Sequence, residues 1–503
     1  MTPLSLGRET LTLFTGRLAN LILSMAGLAL YPALLGPQAH GILQNYFGLF
    51  LLLLGFLNGC AAPMMAHFVA IYRVSDPPRQ GVLAAQVFRW FAVVLFSLWI
   101  LYPFLQDRTG FGWIFLGVAC SGAAQLLAAA EYGLGRLGPS TWFPVLILFL
   151  RLVLICGAAW WVRRGTSVLN LEDWAIRAIP PLLLLCSIPS LLWTSASCHK
   201  RRAMFFVSGA PTTTQSLSLF PWTEIRALGI AAMVGQLIYQ SATRSLVPLS
   251  HQLGFSKEQV GYFGLAMQGF GLVVYLAGIF SVSAYPWLVS AQEAGEGDRF
   301  RRIQGEAWRM SGLLGGWVVT GMVGMAHPLV WIVLGEEYRP DIDLIVHLIQ
   351  VSALAGAFML AAEFHLRMLL CLTAMTRYLI ALVAGFAISV PYLVWVILAG
   401  RGIAEFSWTL PLGVGGLMVL SLALSPKTEG FYRVSGAALL SGGIALLAGV
   451  PFAGETYLSL FIEGTVLSVT YGACAWLLGL ARREDLARVF RAGRPRVDEV
   501  PPT

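Results

Sequence analysis

Apolar stretches long enough to cross a bilayer follow one another along almost the whole chain. Fourteen can be delimited, over residues 9–35, 41–72, 82–105, 112–133, 142–162, 173–196, 222–248, 258–289, 307–335, 341–366, 376–399, 404–424, 433–452 and 456–480. A spanning helix needs about 20 predominantly apolar residues. Lipid offers no partner to a free backbone group, so such stretches must be helical. Only 12% of the 503 residues are charged, against roughly 25% in a soluble domain. The expected fold class is an all-α polytopic membrane protein. Stretches 41–72 and 258–289 exceed the thickness of a bilayer and are expected to tilt or project from it. The first stretch is too long for a signal h-region and has no small-residue cleavage site, so it is expected to remain as helix 1.

The ionisable residues inside these stretches are unbalanced. Arg17 interrupts the first, and Arg89, Arg151, Arg177 and Arg244 lie in others. An arginine near the bilayer centre costs from about 3 to above 10 kcal/mol, so it must face water, a partner or an anion. Apart from acids in the first few residues of a stretch, only Glu131, Glu363 and Glu463 supply negative charge there. The pattern predicts a cationic interior suited to an anionic solute. Arg17 and Arg244 fall on the first helix of each half, where they would face each other across a cavity. Arg151 lies mid-stretch, where snorkelling to an interface is hard. Arg89 and Arg177 lie nearer helix ends and are read as structural. Gln44, Asn45, Gln240 and Gln268 can donate to a polar solute or bond neighbouring helices. Glu463 is the deepest acid and the candidate for coupling to Na⁺ or H⁺. The seven Cys form no CxxC or His/Cys cluster, so neither a disulfide frame nor a metal site is expected. No other cofactor is implied, and nucleic acid is not an expected partner.

Lysine and arginine in the loops set orientation. With both termini cytoplasmic, the inner side receives Lys200, Arg201, Arg202, Arg299, Arg301, Arg302 and an Arg-rich tail. The outer side receives only Arg108, Arg163, Arg164, Lys257, Arg339 and Arg401. This supports an even number of spans, 12 or 14. No outer loop has room for a catalytic domain. An internal repeat is visible. Leu35-Gly36 leads into Tyr46-Phe47-Gly48-Leu49, and Leu253-Gly254 leads into Tyr262-Phe263-Gly264-Leu265. Each follows the first helix of a presumed six-helix half. The expected organisation is an N-lobe over 1–196, a linker over 197–221, a C-lobe over 222–424, two further helices over 425–481 and a tail over 482–503. Pro180, Pro181, Pro189, Pro286 and Pro391 are expected to kink their helices.

Leu34-Leu-Gly-Pro-Gln-Ala-His-Gly41 resembles the hinge motif of bacterial polysaccharide transporters in the multidrug/oligosaccharidyl-lipid/polysaccharide flippase superfamily. Val260-Gly-Tyr-Phe-Gly-Leu-Ala266, Tyr285-Pro286 with the basic loop Asp298–Arg302, and Val333-Leu-Gly-Glu-Glu-Tyr338 are similar to further family motifs, in the family's order. The resemblance implies a MATE-like fold with two pseudo-symmetric six-helix lobes plus two C-terminal helices. It also implies alternating access and no enzymatic chemistry. It points to the Wzx-like branch, which carries undecaprenyl-pyrophosphate-linked oligosaccharide, an O-antigen or exopolysaccharide unit, from the inner to the outer leaflet of the bacterial inner membrane. Membrane lipid, a polysaccharide polymerase and export machinery are the implied partners. The chain departs from the pattern in one respect. Drug exporters carry a carboxylate in helix 1 or 7, and many polysaccharide flippases carry one in helix 7. Here those helices carry Arg17 and Gln240-Ser-Ala-Thr-Arg244. Alternatives are a lipid II flippase, a cation-coupled multidrug antiporter and, more distantly, a membrane glycosyltransferase or ligase.

Overall fold

The computed structural model describes residues 3–75, 87, 91–93, 95–96, 108–133, 137–164, 170–199, 231–293, 295–334, 336–372, 374–428 and 430–482. Most of the stretch predicted over 82–105, Arg89 included, most of the 197–221 linker and nearly all of the tail fall outside this set. Among the described residues every regular element is helical. Nine helical stretches are long and apolar enough to cross a membrane, or ten if one bent pair is a single span.

The run Pro3–Ser75 is broken at Gly36 (φ 72°, ψ 171°) into α1, residues 3–35, and α2, residues 37–75. Glycine is needed there because the left-handed region penalises any Cβ. Then come α3 (Arg108–Gly133), α4 (Leu137–Arg164) and α5 (Leu171–His199). The second half opens with α6 (Ala231–Arg244), α7 (Leu246–Gln252) and α8 (Lys257–Glu293). It continues through α9 (Gly297–Gly324), α10 (Ala326–Val333), a 3₁₀ turn (Glu336–Asp341) and α11 (Ile342–Cys371). Next are α12 (Met375–Ala387), α13 (Val390–Leu398), α14 (Ile403–Ser407) and α15 (Thr409–Leu424). The chain ends on α16 (Phe431–Gly449) and α17 (Tyr457–Leu477). Thirteen of the fourteen predicted stretches thus have helical counterparts. Helix α8 is 37 residues long, about 55 Å at 1.5 Å per residue, so it projects beyond the hydrocarbon as expected.

Four predicted spans are split, and each split has the same cause. Helix α6 stops at Arg244, four residues before Pro248; α9 stops at Gly324, four before Pro328. Likewise α12 stops at Ala387 before Pro391, and α14 at Ser407 before Pro411. Proline has no N–H for the carbonyl four residues back, and its ring collides with that carbonyl. Helices α9 and α10 meet at 61°. The prolines singled out from the sequence behave unequally. Pro391 starts a new helix, whereas α5 runs unbroken through Pro180, Pro181 and Pro189, and α8 through Pro286. Kinks expected there do not interrupt the helix, while Pro248, Pro328 and Pro411 do.

Two large apolar cores divide along the chain. One packs Leu43, Phe50, Phe111, Ile155 and Leu183; the other packs Phe263, Ile345, Leu369, Leu382 and Val414. A smaller core stacks Trp308 on Phe431, ring centroids 4.8 Å apart. The last two helices rest on α9, where the Tyr471 hydroxyl donates to the Leu313 carbonyl at 2.9 Å and Trp317 Nε1 donates to Ser468 Oγ at 3.1 Å. Helix α17 starts where it does because Thr456 and Ser459 form a reciprocal cap.

Candidate functional site

The two repeated motifs meet. Gly36 and Gly254 both hold left-handed backbone, with φ of 72° and 85°, and each feeds a long helix, α2 or α8. These helices cross at glycine. A Cβ on Gly41 would stand 1.7 Å from the Lys257 carbonyl oxygen, and one on Gly261 2.9 Å from the Pro37 carbonyl oxygen. Lower down, a Cβ on Gly48 would stand 2.7 Å from the Pro248 ring, and one on Gly264 2.4 Å from Gln44 Cγ. Small residues at these positions let the two backbones touch. We call this end of the molecule the hinge face.

Beneath the crossing lies a cavity of about 290 Å³. Helices α1, α2 and α4 wall it from the first half, and α6, α7 and α8 from the second. Its α1 wall runs from Tyr31 to Asn20, about 17 Å along the helix. Arg151, Arg244, Gln44 and Gln268 all line it, together with Asn20, Ser24, Tyr31, Thr243 and Tyr275; among the described residues no lining side chain is acidic. Arg151 is only 6% exposed. Its guanidinium carbon lies 4.5 Å from the Phe50 ring centre and 5.3 Å from that of Phe47. Its Nε has no hydrogen-bond partner. Aromatic faces attract the cation without neutralising it, so its donors stay available to an anion. Gln44 sits at the ceiling, and its amide nitrogen donates to Nε2 of the buried His40 at 2.8 Å.

The other candidates lie elsewhere. Arg17 belongs to α1, three residues before Asn20, but its side chain is outside the described set. Asn45 follows Gln44 on α2 and does not line the cavity. Gln240 packs across the half-to-half contact, 2.8 Å from where a Cβ on Gly55 would stand. Glu463 is buried on α17 beside Gly449 of α16, with Oε2 unpartnered. Arg177 is exposed on α5. Sequence reading missed Asn20, Tyr31, Phe47 and His40. His40 stood inside the hinge motif, and the i to i+4 spacing from His40 to Gln44 was the available signal.

Polar links join the two halves at the hinge face. Lys257 pairs with Glu172, and Arg163 Nη2 pairs with Glu337 Oε1 at 3.4 Å. The Tyr338 hydroxyl donates to the Pro32 carbonyl at 3.4 Å. The lining offers unneutralised guanidinium groups that match an anion, amides and hydroxyls that match a polar solute, and aromatic faces that match sugar or hydrocarbon.

No family model matches the chain, and no curated protein sequence matches it. Solved structures do match. A lipid II flippase, MurJ, in an inward closed conformation superposes with a TM-score of 0.65 at 11% identity, over 95% of this chain and 99% of that one. An inward-facing multidrug resistance MATE transporter, described as belonging to the MOP superfamily, gives 0.62 at 13% identity, over 84% and 95%. A point mutant of the Vibrio cholerae MATE transporter VcmN gives 0.53 at 15% identity, over 87% and 98%. Those neighbours are transporters or flippases, not enzymes, and this chain has the all-helical fold they share.

Proposed function

We propose that the protein is a flippase for a pyrophosphate-linked lipid oligosaccharide, working by alternating access. The observation that carries this is the cavity between the halves, where Arg151 and Arg244 converge and no described carboxylate neutralises them. A pyrophosphate offers the planar, fork-like acceptors that guanidinium matches. Gln44, Gln268, Asn20 and Tyr275 are placed to meet the glycan. The basic, acid-free lining disfavours a drug cation as substrate. A lipid II flippase is a second reading, favoured by the near full-length likeness to MurJ, and lipid II is the second substrate to assay.

In this reading the organisation is two lobes, 1–196 and 222–424, joined by a cytoplasmic linker, with α16 and α17 appended. Both termini face the cytoplasm of a bacterium, so the hinge face is outer. The structure's closed hinge face then corresponds to the state that loads from the inside. Glu463, buried and unpartnered, is our candidate for a coupling proton or Na⁺, although it stands apart from the cavity. A polymerase and an export apparatus would receive the product.

The test is transport in proteoliposomes of a fluorescent undecaprenyl-pyrophosphate oligosaccharide. A charge-assisted hydrogen bond contributes about 1.5–3 kcal/mol, so Arg151→Ala is expected to lower binding about tenfold to a hundredfold. Arg151→Lys is expected to recover part of this, because charge is kept and the fork is lost. Undecaprenol, with no phosphate, should bind wild type and Arg151→Ala alike. Equal binding of the pyrophosphate lipid by both proteins would remove Arg151 from the site and the proposal with it.

A further inference from the structure

Three of the four proline breaks surround one place. The α6–α7 break before Pro248, the α12–α13 break before Pro391 and the α14–α15 break before Pro411 border a groove of about 490 Å³. It lies on the side of α6 and α7 turned away from the central cavity. Thr243, Arg244 and Val247 face the cavity, while Ser241, Ala242, Ser245, Leu246 and Leu249 face the groove. Each break interrupts the helix four residues before a proline, and residues on both sides of the α6–α7 and α12–α13 breaks line the groove.

The groove is apolar and opens sideways. Val383 and Val390 line it and are 53% and 51% exposed on the lobe's surface. Both lie within a span, so the groove is continuous with the face that meets the bilayer, where hydrocarbon is the surrounding medium. Its α6–α7 wall runs from Leu237 to Leu249, about 18 Å along the helices. That matches one leaflet, about half of a 30 Å hydrocarbon core. One polar feature stands out. Thr409 lines the groove, is 4% exposed, and its hydroxyl has no hydrogen-bond partner. It is the first residue of α15. Just before it, Phe406 of α14 packs against Phe255 and Phe263 beside the hinge, with ring centroids 5.5 Å apart in each pair. Thr409 therefore sits toward the hinge-face end of the groove, the end nearer the headgroups of that leaflet if the spans cross a bilayer. A buried hydroxyl without a partner is costly, and an ester carbonyl is an acceptor that the hinge-face leaflet supplies.

We propose that this groove is a binding site for one acyl chain of a phospholipid from the hinge-face leaflet, with the Thr409 hydroxyl donating to the ester carbonyl at the chain's head. The site is separate from the central cavity, and the inference rests on the membrane fold alone, so it stands whatever substrate is carried. A chain wedged among three breaks would support the broken segment α6–α7, which holds Arg244 and Val247 in the cavity wall.

The test uses the full-length protein in nanodiscs of phosphatidylcholine carrying a diazirine in one acyl chain, with labelled peptides mapped by mass spectrometry after illumination. Leu439 and Leu458, exposed at 76% and 68% on α16 and α17, report ordinary lipid contact. The expected result is groove labelling at 237–249 and 383–393 above that reference. Ala387→Phe and Ala242→Phe should each abolish the excess and leave α16–α17 labelling unchanged, which also shows that the variant is folded. Replacing the ester by an ether linkage should cut groove labelling about fivefold in wild type, the factor that one hydrogen bond sets. The ether should have no effect in Thr409→Val. Groove labelling no higher than the reference would overturn the proposal, as would equal labelling by ester and ether lipids in wild type. Displacement of the label by undecaprenyl phosphate but not by excess phospholipid would also overturn it, because the groove would then belong to the carried lipid's tail.

Discussion

The hinge face and the opposite face of the molecule are bonded in different ways. At the hinge face the links run between halves: Lys257 to Glu172, Arg163 to Glu337, Tyr338 to the Pro32 carbonyl, and α2 against α8 at Gly41 and Gly261. At the opposite face the described links hold the second half to itself. Arg367 pairs with Glu363 within α11, Gln304 donates to Thr428 Oγ1 at 2.8 Å, Arg309 donates to the Leu480 carbonyl at 2.8 Å, and His365 Nδ1 bonds Ser425 Oγ at 2.7 Å. In the alternating-access cycle proposed above, contacts between the halves break while those within a half persist. The hinge face carries contacts of the first kind, and they are weak ones. Arg163 and Glu337 are 36% and 59% exposed, and pairs so solvated contribute about 0–1 kcal/mol. The glycine contacts bring backbones together without interlocking side chains.

The largest expected effect comes from locking the hinge face. With the seven native Cys removed, Gln38→Cys and Ser256→Cys should crosslink in the closed form, stop transport completely and release it on reduction. Normal transport by the crosslinked protein would break the comparison, because the hinge face would not need to open. Next is the crossing itself. Gly41→Ala puts a methyl where only 1.7 Å separates it from the Lys257 carbonyl oxygen, and backbone cannot rotate out of the way. Overpacking of this kind costs about 1–3 kcal/mol, read as a fall in melting temperature. It should also raise labelling of a cysteine at Ser24 by an impermeant thiol reagent added from the hinge side. A thermal midpoint equal to wild type would show that the crossing has slack. Smaller still is the ionic contribution. Glu172→Gln and Glu337→Gln should each raise that labelling by at most about fivefold, the limit of a solvated pair, and the double variant roughly multiplies the two. The smallest effect is the control: Arg367→Gln, which breaks a pair within one helix, should leave hinge-side labelling within error of wild type. A change as large as that of Glu172→Gln would mean that the two faces are coupled through α11.

Much of the site was open to reading, and the rest was hidden for identifiable reasons. Arg151 and Arg244 could be found because charge at membrane depth demands a purpose, and both line the cavity. Gln240 could not be separated from Gln268 on chemistry, since both are helical amides; only packing turns Gln240 of α6 toward Gly55 and Gln268 of α8 to the cavity wall. The breaks before Pro248, Pro328 and Pro411 were legible from the rule that proline leaves the carbonyl four residues back without a partner. The same rule misleads in α5, where the helix continues through three prolines, so neighbouring packing decides whether the chain bends or parts.

What sequence alone determined is the list of helices, seen at thirteen of the fourteen stretches among the described residues, and the glycine break at Gly36. Length and apolarity are local, lipid forces every span to bond its own backbone, and glycine and proline act within one turn. Pairing was decided by tertiary structure. Glu172 meets Lys257 across 85 residues and Arg163 meets Glu337 across 174, separations over which no periodicity carries information. The cavity and the hinge-face links need α2 and α8 to meet at Gly41 and Gly261, and the groove needs α6, α7, α12, α13 and α15 packed together within the second half.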